Sequence, residues 1–295
     1  MHSMKIRPLY FVLITILLMA AAESAYNNLV FSCERSAELM GTTARVKVEG
    51  PMSPYLAQRA LYEIEKMDVI FNKFTPKSEI AMINRLAGKA PLQVSSDTYD
   101  CISLAVKINK LTQGAFDITL GHARDLVLNP AIRKVYLKRD NEKIDLGGIA
   151  KGFAVEAARH LLLIKGSHAG MVDLHSSIAV FGHKIWRIGI RHPRQPEKLL
   201  GVVELGNGQS LSTSGDYEQG KHIIDPRTGK PAESCEAVTL IGKNAAEMDA
   251  LSTGVFVLGP EKGMGLIENL PEVEGVIVDC RGKITTSSGF HLITP

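Results

Sequence analysis

The sequence predicts an α+β fold, on three observations. Apolar residues recur at helical spacing through the first half of the chain. Strand-like runs rich in β-branched residues dominate the second half. No internal repeat or low-complexity tract interrupts either pattern. The composition is that of an ordinary globular protein, 45% hydrophobic and 22% charged over 295 residues, enough to bury a sizeable core. Its 34 basic and 31 acidic residues nearly balance, which argues against a nucleic-acid binder. No run of five like charges marks a charged tail.

The N-terminus reads as an export signal over residues 1–25. Lys5 and Arg7 precede the apolar run "LYFVLITILLMAAA", and small residues follow near Ala22 and Ala25. The alternative is a membrane anchor, but the 14 residues from Leu9 to Ala22 fall short of the roughly 20 that a span needs. The remainder, 26–295, reads as a single domain. Cys33, Cys101, Cys235 and Cys280 are too far apart for a CxxC site, and export makes disulfides permissible without choosing a pairing.

"ELMGTTARVKVEG" alternates like a strand and stops at Gly50-Pro51. "SPYLAQRALYEIEKMDVIFNKF" follows as a helix, with Leu56, Ala60, Leu61, Ile64, Met67 and Phe71 on one face and Ser53-Pro54 at its start. "SEIAMINRLAG" and "SSDTYDCISLAVKINKLTQG" are helices with serine starts and glycine stops. "AFDITLGHARDLV" is a loop or short strand, and "KVYLKRDNEKIDLGG" a basic, hairpin-like segment. Gly152–Lys165 is helical, then "AGMVDLHSSIAVFG" and "KIWRIGIRHP" are strands. "LLGVVELGNGQSLSTSGDYEQG" gives two strands about an Asn207-Gly208 turn. "HIIDPRTGKP" is a loop, "AVTLIGKN" a strand, and two helices split at Gly259-Pro260 precede a terminal hairpin.

Four stretches could carry chemistry. In "DLGGIAKG", glycines permit close backbone approach, a helix start offers free N–H groups, and Lys151 adds charge; together these favour a phosphate, equally well matched by a plain turn. It fits neither the P-loop nor the Rossmann fingerprint. In "EMDALSTG", Asp249 and Thr253 are four apart on a helix face beside Ser252, a hard-oxygen set suited to Mg²⁺. The glycine-rich loop "STSGDYEQGKHIIDPRTGKP" gathers His222, Asp225 and Arg227, and of the nine histidines His222 has the most convergent polar chemistry around it. In "GAFDITLG", Phe116 is a candidate stacking surface and Asp117 an acceptor, with Phe74 in a similar role upstream.

These residues sit in a series of motifs that resembles the ApbE-like FAD:protein FMN transferases: "MGTTARVKV", "FNKFTPKSEIAMIN", "GAFDITLG", "DLGGIAKGFAV", "WRIGIRHP", "STSGDYE", "HIIDPRTGKP" and "DALSTGVFVLG", in order over nearly all of the chain after the leader. The resemblance implies an ApbE-like, T-fold-related architecture of mixed or antiparallel sheets flanked by helices. It implies an exported, Mg²⁺-dependent enzyme that moves FMN from FAD to a threonine of an acceptor flavoprotein and releases AMP, periplasmic or membrane-associated through its N-terminal segment. Asp249, Thr253, Ser252 and the Gly148 carbonyl would hold Mg²⁺. Met40, Phe74, Ala115, Phe116, Asp117, Asp145, Lys151, His222 and Ile223 would line the FAD site, with His222 the base. Hydrolysis of FAD to FMN and AMP, or FAD carriage without chemistry, are the alternatives. One departure stands out: where the family usually carries Gly-Gly-Asp or Gly-Gly-Asn, this chain has "VDLHSSIAVFG", with His175, Ser176 and Ser177.

Overall fold

The computed structural model describes residues 10, 12–20, 31–195, 197–216 and 220–293. Residues 12–20 of the apolar leader are helical and exposed, the rest of the proposed signal lies outside the described residues, and no described helix is long and apolar enough to cross a membrane.

The chain begins with a hairpin of β1 (Ser32–Leu39) and β2 (Thr42–Glu49), turned at Met40 and Gly41, both at positive φ. Only β2 was legible in the sequence. The β1 run SCERSAEL carries charges and mostly exposed side chains, as an edge strand does. Helix α1 (Ser53–Phe71) follows, then α2 (Glu79–Arg85), the short β3 (Leu92–Gln93) and α3 (Ser96–Leu111). Ser78 and Ser95 cap α2 and α3 by accepting from the Ala81 and Thr98 amides. Ser53 does not cap α1; Met52 takes that position in a left-handed conformation, and the buried Ser53 hydroxyl has no partner among the described residues.

The predicted hairpin after α3 forms one strand earlier than expected. β4 (Leu126–Asn129) pairs with β5 (Lys134–Leu137), and residues beyond Leu137 run irregularly to α4 (Ala150–Ile164). β6 (Ala169–Asp173) and β7 (Ser177–Gly182) form the next hairpin, followed by β8 (Trp186–Arg191), β9 (Leu199–Leu205) and β10 (Ser210–Gly215). Asn207-Gly208 turns the chain but makes no hairpin. β9 pairs with β8 in a separate ribbon, whereas β10 inserts between β7 and β13 (Cys235–Gly242). The "HIIDPRTGKP" loop holds a minimal hairpin, β11 (Ile224–Asp225) with β12 (Lys230–Pro231). Helices α5 (Ala245–Leu258) and α6 (Pro260–Glu268) precede the hairpin of β14 (Glu274–Asp279) and β15 (Ile284–Thr286).

The main sheet is antiparallel, in the order β1-β2-β6-β7-β10-β13-β14-β15. Alternate residues of its central strands serve two cores. Ala179 and Phe181 of β7 join the large core beneath α1, α4 and α5; Ile178 and Val180 join a smaller one under the β8–β9 ribbon with Trp186, Val203 and Leu205. The fold is therefore α+β with antiparallel sheets, as expected. The four cysteines are free thiols, with Cys101 and Cys235 buried.

Candidate active site

A cleft of about 1100 Å³ opens beside the main sheet, lined from the β1–β2 turn, the 115–120 segment, the start of α4, β6, β8, β10, the His222 loop and α5. Its size is at the upper end for a small-molecule site. Its least exposed polar lining residue is Asp249, only 4% exposed. One carboxylate oxygen accepts from the Gly152 amide at 2.8 Å and the other from the Ser212 hydroxyl at 3.0 Å. Burial pushes this carboxyl up from its ordinary value, and the Lys151 charge, the Gly152 amide and the Ser212 and Ser177 hydroxyls pull it back.

The glycine-rich turn is thus partly occupied from within: the amide in the first turn of α4 that could have met a phosphate donates to Asp249. Gly152 has a further task. A Cβ there would lie 2.4 Å from the Ala245 carbonyl oxygen and 2.5 Å from the Asp249 Cβ, so α4 and α5 can cross this closely only at glycine. Gly152→Ala should lower stability by about 1–3 kcal/mol through overpacking and should displace Asp249. Denaturant unfolding of the ligand-free protein measures the first effect.

The β10 run SLSTSG sends alternate serines to one side, toward α4 and α5. Ser210 receives from Arg159, Ser212 donates to Asp249, and Ser214 lies 2.7 Å from the Ser252 hydroxyl and 3.0 Å from that of Thr253. This ladder follows from the two-residue strand period, and its signal was present in the spacing of 210, 212 and 214. It also separates the three predicted side-chain metal ligands. Asp249 and Thr253 line the cleft; Ser252 is fully buried, bonded to Ser214 and the Asp249 carbonyl, and is not among the cleft-lining residues. Gly148 lies beside Thr253, where a Cβ would come within 3.2 Å of the Thr253 hydroxyl and 3.1 Å of the Phe116 ring. A carboxylate, a hydroxyl and an adjacent backbone segment form a hard-oxygen set that fits a divalent cation such as Mg²⁺.

The proposed FAD-lining residues all border the cleft, in different capacities. Phe74 is 83% exposed, with the Lys73 ammonium 5.1 Å from its ring centroid, so the ring is accessible for stacking on the face away from that cation. Phe116 and Ala115 are buried and mainly support the wall. Asp117 holds its own loop, accepting from the Thr119 amide and hydroxyl and the Gly121 amide, while Asp145 pairs with Lys73 and accepts from Gly147. The Met40 amide donates to Asp68, and Ile223 is buried at the cleft edge. His222 is exposed at the rim, its Nδ1 2.9 Å from the Gly220 carbonyl and 3.7 Å from Asp216. A carbonyl only accepts, so the neutral ring carries its proton on Nδ1 and leaves Nε2 as the basic atom. Burial pushes the Asp216 carboxyl up, and His222 draws it down.

Asp225 and Arg227 pair with each other across the β11–β12 turn and serve the loop, which leaves His222 as the free chemistry of that segment. Sequence reading missed Asp173, Arg187 and Arg191, which also line the cleft. The substituted wall lines it too, through His175 and Ser176. His175 sits at φ 67°, and its amide donates to Asp173 at 2.6 Å. A turn of that handedness ordinarily favours glycine.

An α+β scaffold carrying a large cleft with a buried carboxylate, a hydroxyl and a lysine on one wall and a histidine on its rim defines an enzyme of group transfer at a phosphate. The chain belongs to the ApbE family, whose model matches residues 40–277. Among curated proteins it is similar to the FAD:protein FMN transferases of Klebsiella pneumoniae (strain 342), 26% identical over 90% of this chain and 94% of that one, and Haemophilus influenzae, 28% identical over 88% and 90%. Among solved structures it is similar to the ApbE protein of Thermotoga maritima, with a TM-score of 0.80 at 27% identity over 88% of this chain and 97% of that one. It is also similar to the flavin transferase ApbE of Vibrio cholerae, with a TM-score of 0.79 at 26% identity over 88% and 98%.

Proposed function

We propose that the protein is an exported FAD:protein FMN transferase, which moves FMN from FAD to a threonine hydroxyl of an acceptor flavoprotein and releases AMP. The observation that carries this reading is the convergence of Asp249, Thr253 and Lys151 on one cleft wall with His222 on its rim. The names of the relatives at 26–28% identity support it. In the reaction the threonine oxygen bonds to the phosphorus of the FMN half as the bond from that phosphorus to the bridging oxygen breaks. AMP leaves with the bridging oxygen, and the threonine proton passes to a base.

The chain supplies the parts in order. Phe74 offers an exposed ring for a flavin or adenine plane, and Lys151 offers a positive charge to the diphosphate. Mg²⁺, when bound at Asp249, Thr253 and Gly148, would neutralise charge on the phosphate oxygens. His222 Nε2 takes the proton of the attacking hydroxyl. Export on the N-terminal signal would put this chemistry outside the cytoplasm, where the acceptor domain would meet it.

The test is incubation of the mature protein with FAD, Mg²⁺ and a threonine-bearing flavoprotein domain. Flavin fluorescence retained on the denatured acceptor, with AMP in equal amount, is the expected result. FMN and AMP without labelling would make the protein a pyrophosphatase. Tight binding of unchanged FAD would make it a carrier.

A further inference from the structure

A second group of ligating side chains stands outside the cleft. His122, Asp125 and Glu142 present ligand atoms that all lie within 4.8 Å of one another, and none of the three lines the cleft. Glu142 is 7% exposed, and neither of its carboxylate oxygens has a hydrogen-bond partner among the described residues. A buried carboxylate without a partner is costly unless something positive meets it.

From these observations we propose that His122, Asp125 and Glu142 form a Zn²⁺ site, distinct from the Asp249 site. One imidazole with two carboxylates is a mixed nitrogen–oxygen set that suits Zn²⁺ better than Mg²⁺, which prefers oxygen alone. Three protein ligands leave a fourth tetrahedral position for water.

Arg139 is the charged neighbour that must be accounted for. Its Nη1 lies 2.7 Å from His122 Nδ1, and its Nε 3.7 Å from an Asp125 oxygen. A guanidinium only donates, so His122 Nδ1 presents its lone pair, as a metal ligand must. Arg139 thus takes the place of the cation. With 56% of its side chain exposed, it can rotate into solvent when a divalent ion enters. The consequence is local bracing. Asp125 ends the turn of residues 123–125, Glu142 follows β5, and the His122 amide donates to Thr119, which Asp117 holds in the cleft wall. A bound Zn²⁺ would tie these segments together behind that wall.

The test is a Zn²⁺ titration of the metal-free full chain in excess Mg²⁺ and without FAD, against a fluorescent chelator, with thermal unfolding in parallel. One Zn²⁺ should bind per chain and raise Tm. Glu142→Gln and His122→Asn should weaken binding at least about 10–100-fold and abolish the Tm rise. Arg139→Gln should tighten binding, because it removes the competing charge, and Asp249→Ala should leave it unchanged. Binding that survives Glu142→Gln, weakens in Arg139→Gln, or disappears in Asp249→Ala would overturn the assignment. Since no flavin is present, the result is independent of whether transfer occurs.

Discussion

Asp249→Ala is expected to lower Mg²⁺-dependent transfer by about 10²–10⁴-fold, the loss that follows from removing several kcal/mol of charge stabilisation at about 1.4 kcal/mol per decade. The geometry makes the effect specific. Asp249 is anchored at one oxygen by Gly152 and at the other by Ser212, so its direction is fixed before any cation arrives. The variant also frees a buried amide and a buried hydroxyl from their acceptor. Asp249→Asn, which retains the shape, therefore separates charge from scaffolding: it should be nearly as inactive as Asp249→Ala yet unfold closer to wild type. Raising Mg²⁺ should not restore either variant. A rate unchanged at limiting Mg²⁺ would remove Asp249 from the metal site.

The same carboxylate couples folding to pH. Its folded-state value lies above the ordinary 3.8 because it is buried. The unfolded chain then gives up this proton first as pH rises, so without metal this group's contribution to stability falls from about 3.8 upward through the raised value. A bound divalent cation favours the ionised form and opposes that fall. Stabilisation by Mg²⁺ should therefore grow with pH across that window in wild type and be flat in Asp249→Asn, as thermal melts with and without Mg²⁺ would show.

What the sequence disclosed of this site, and what it hid, follows from the range of each signal. The pair Asp249 and Thr253 was visible because a helix places residues four apart on one face. The helices themselves were visible through their apolar spacing and their serine caps at 78 and 95. Pairing partners were not. Asn207-Gly208 has the local chemistry of a hairpin turn, yet β10 pairs with β7 and β13 because its Ser212 and Ser214 satisfy groups on α5, a contact 37 to 39 residues away. Gly152 looked like an anion-turn glycine and serves as the crossing point of two helices instead. Ser252 sits next to Thr253 in sequence, but one step along a helix rotates a side chain by about 100°, which turns it to Ser214 rather than to the cleft. His122 drew no notice because Glu142, its partner across the cluster, follows only after the β4–β5 hairpin.

His222→Ala is expected to cost about 10²–10⁴-fold in the rate of transfer, a larger loss than in FAD affinity, since a general base acts on the attacking hydroxyl while its contact with the nucleotide is one of many along the cleft. The exposed rim position gives the prediction its force. With Nδ1 held at the Gly220 carbonyl, Nε2 is the ring atom available to an incoming hydroxyl, and a macromolecular acceptor can reach it because the residue is not enclosed. Asp216, 3.7 Å from Nδ1, would act as a positioning residue. Asp216→Asn should change kcat far less than His222→Ala does. Undiminished transfer in His222→Ala would place the base elsewhere in the cleft. His175 is the side chain to examine next, since it brings a second imidazole to the cleft.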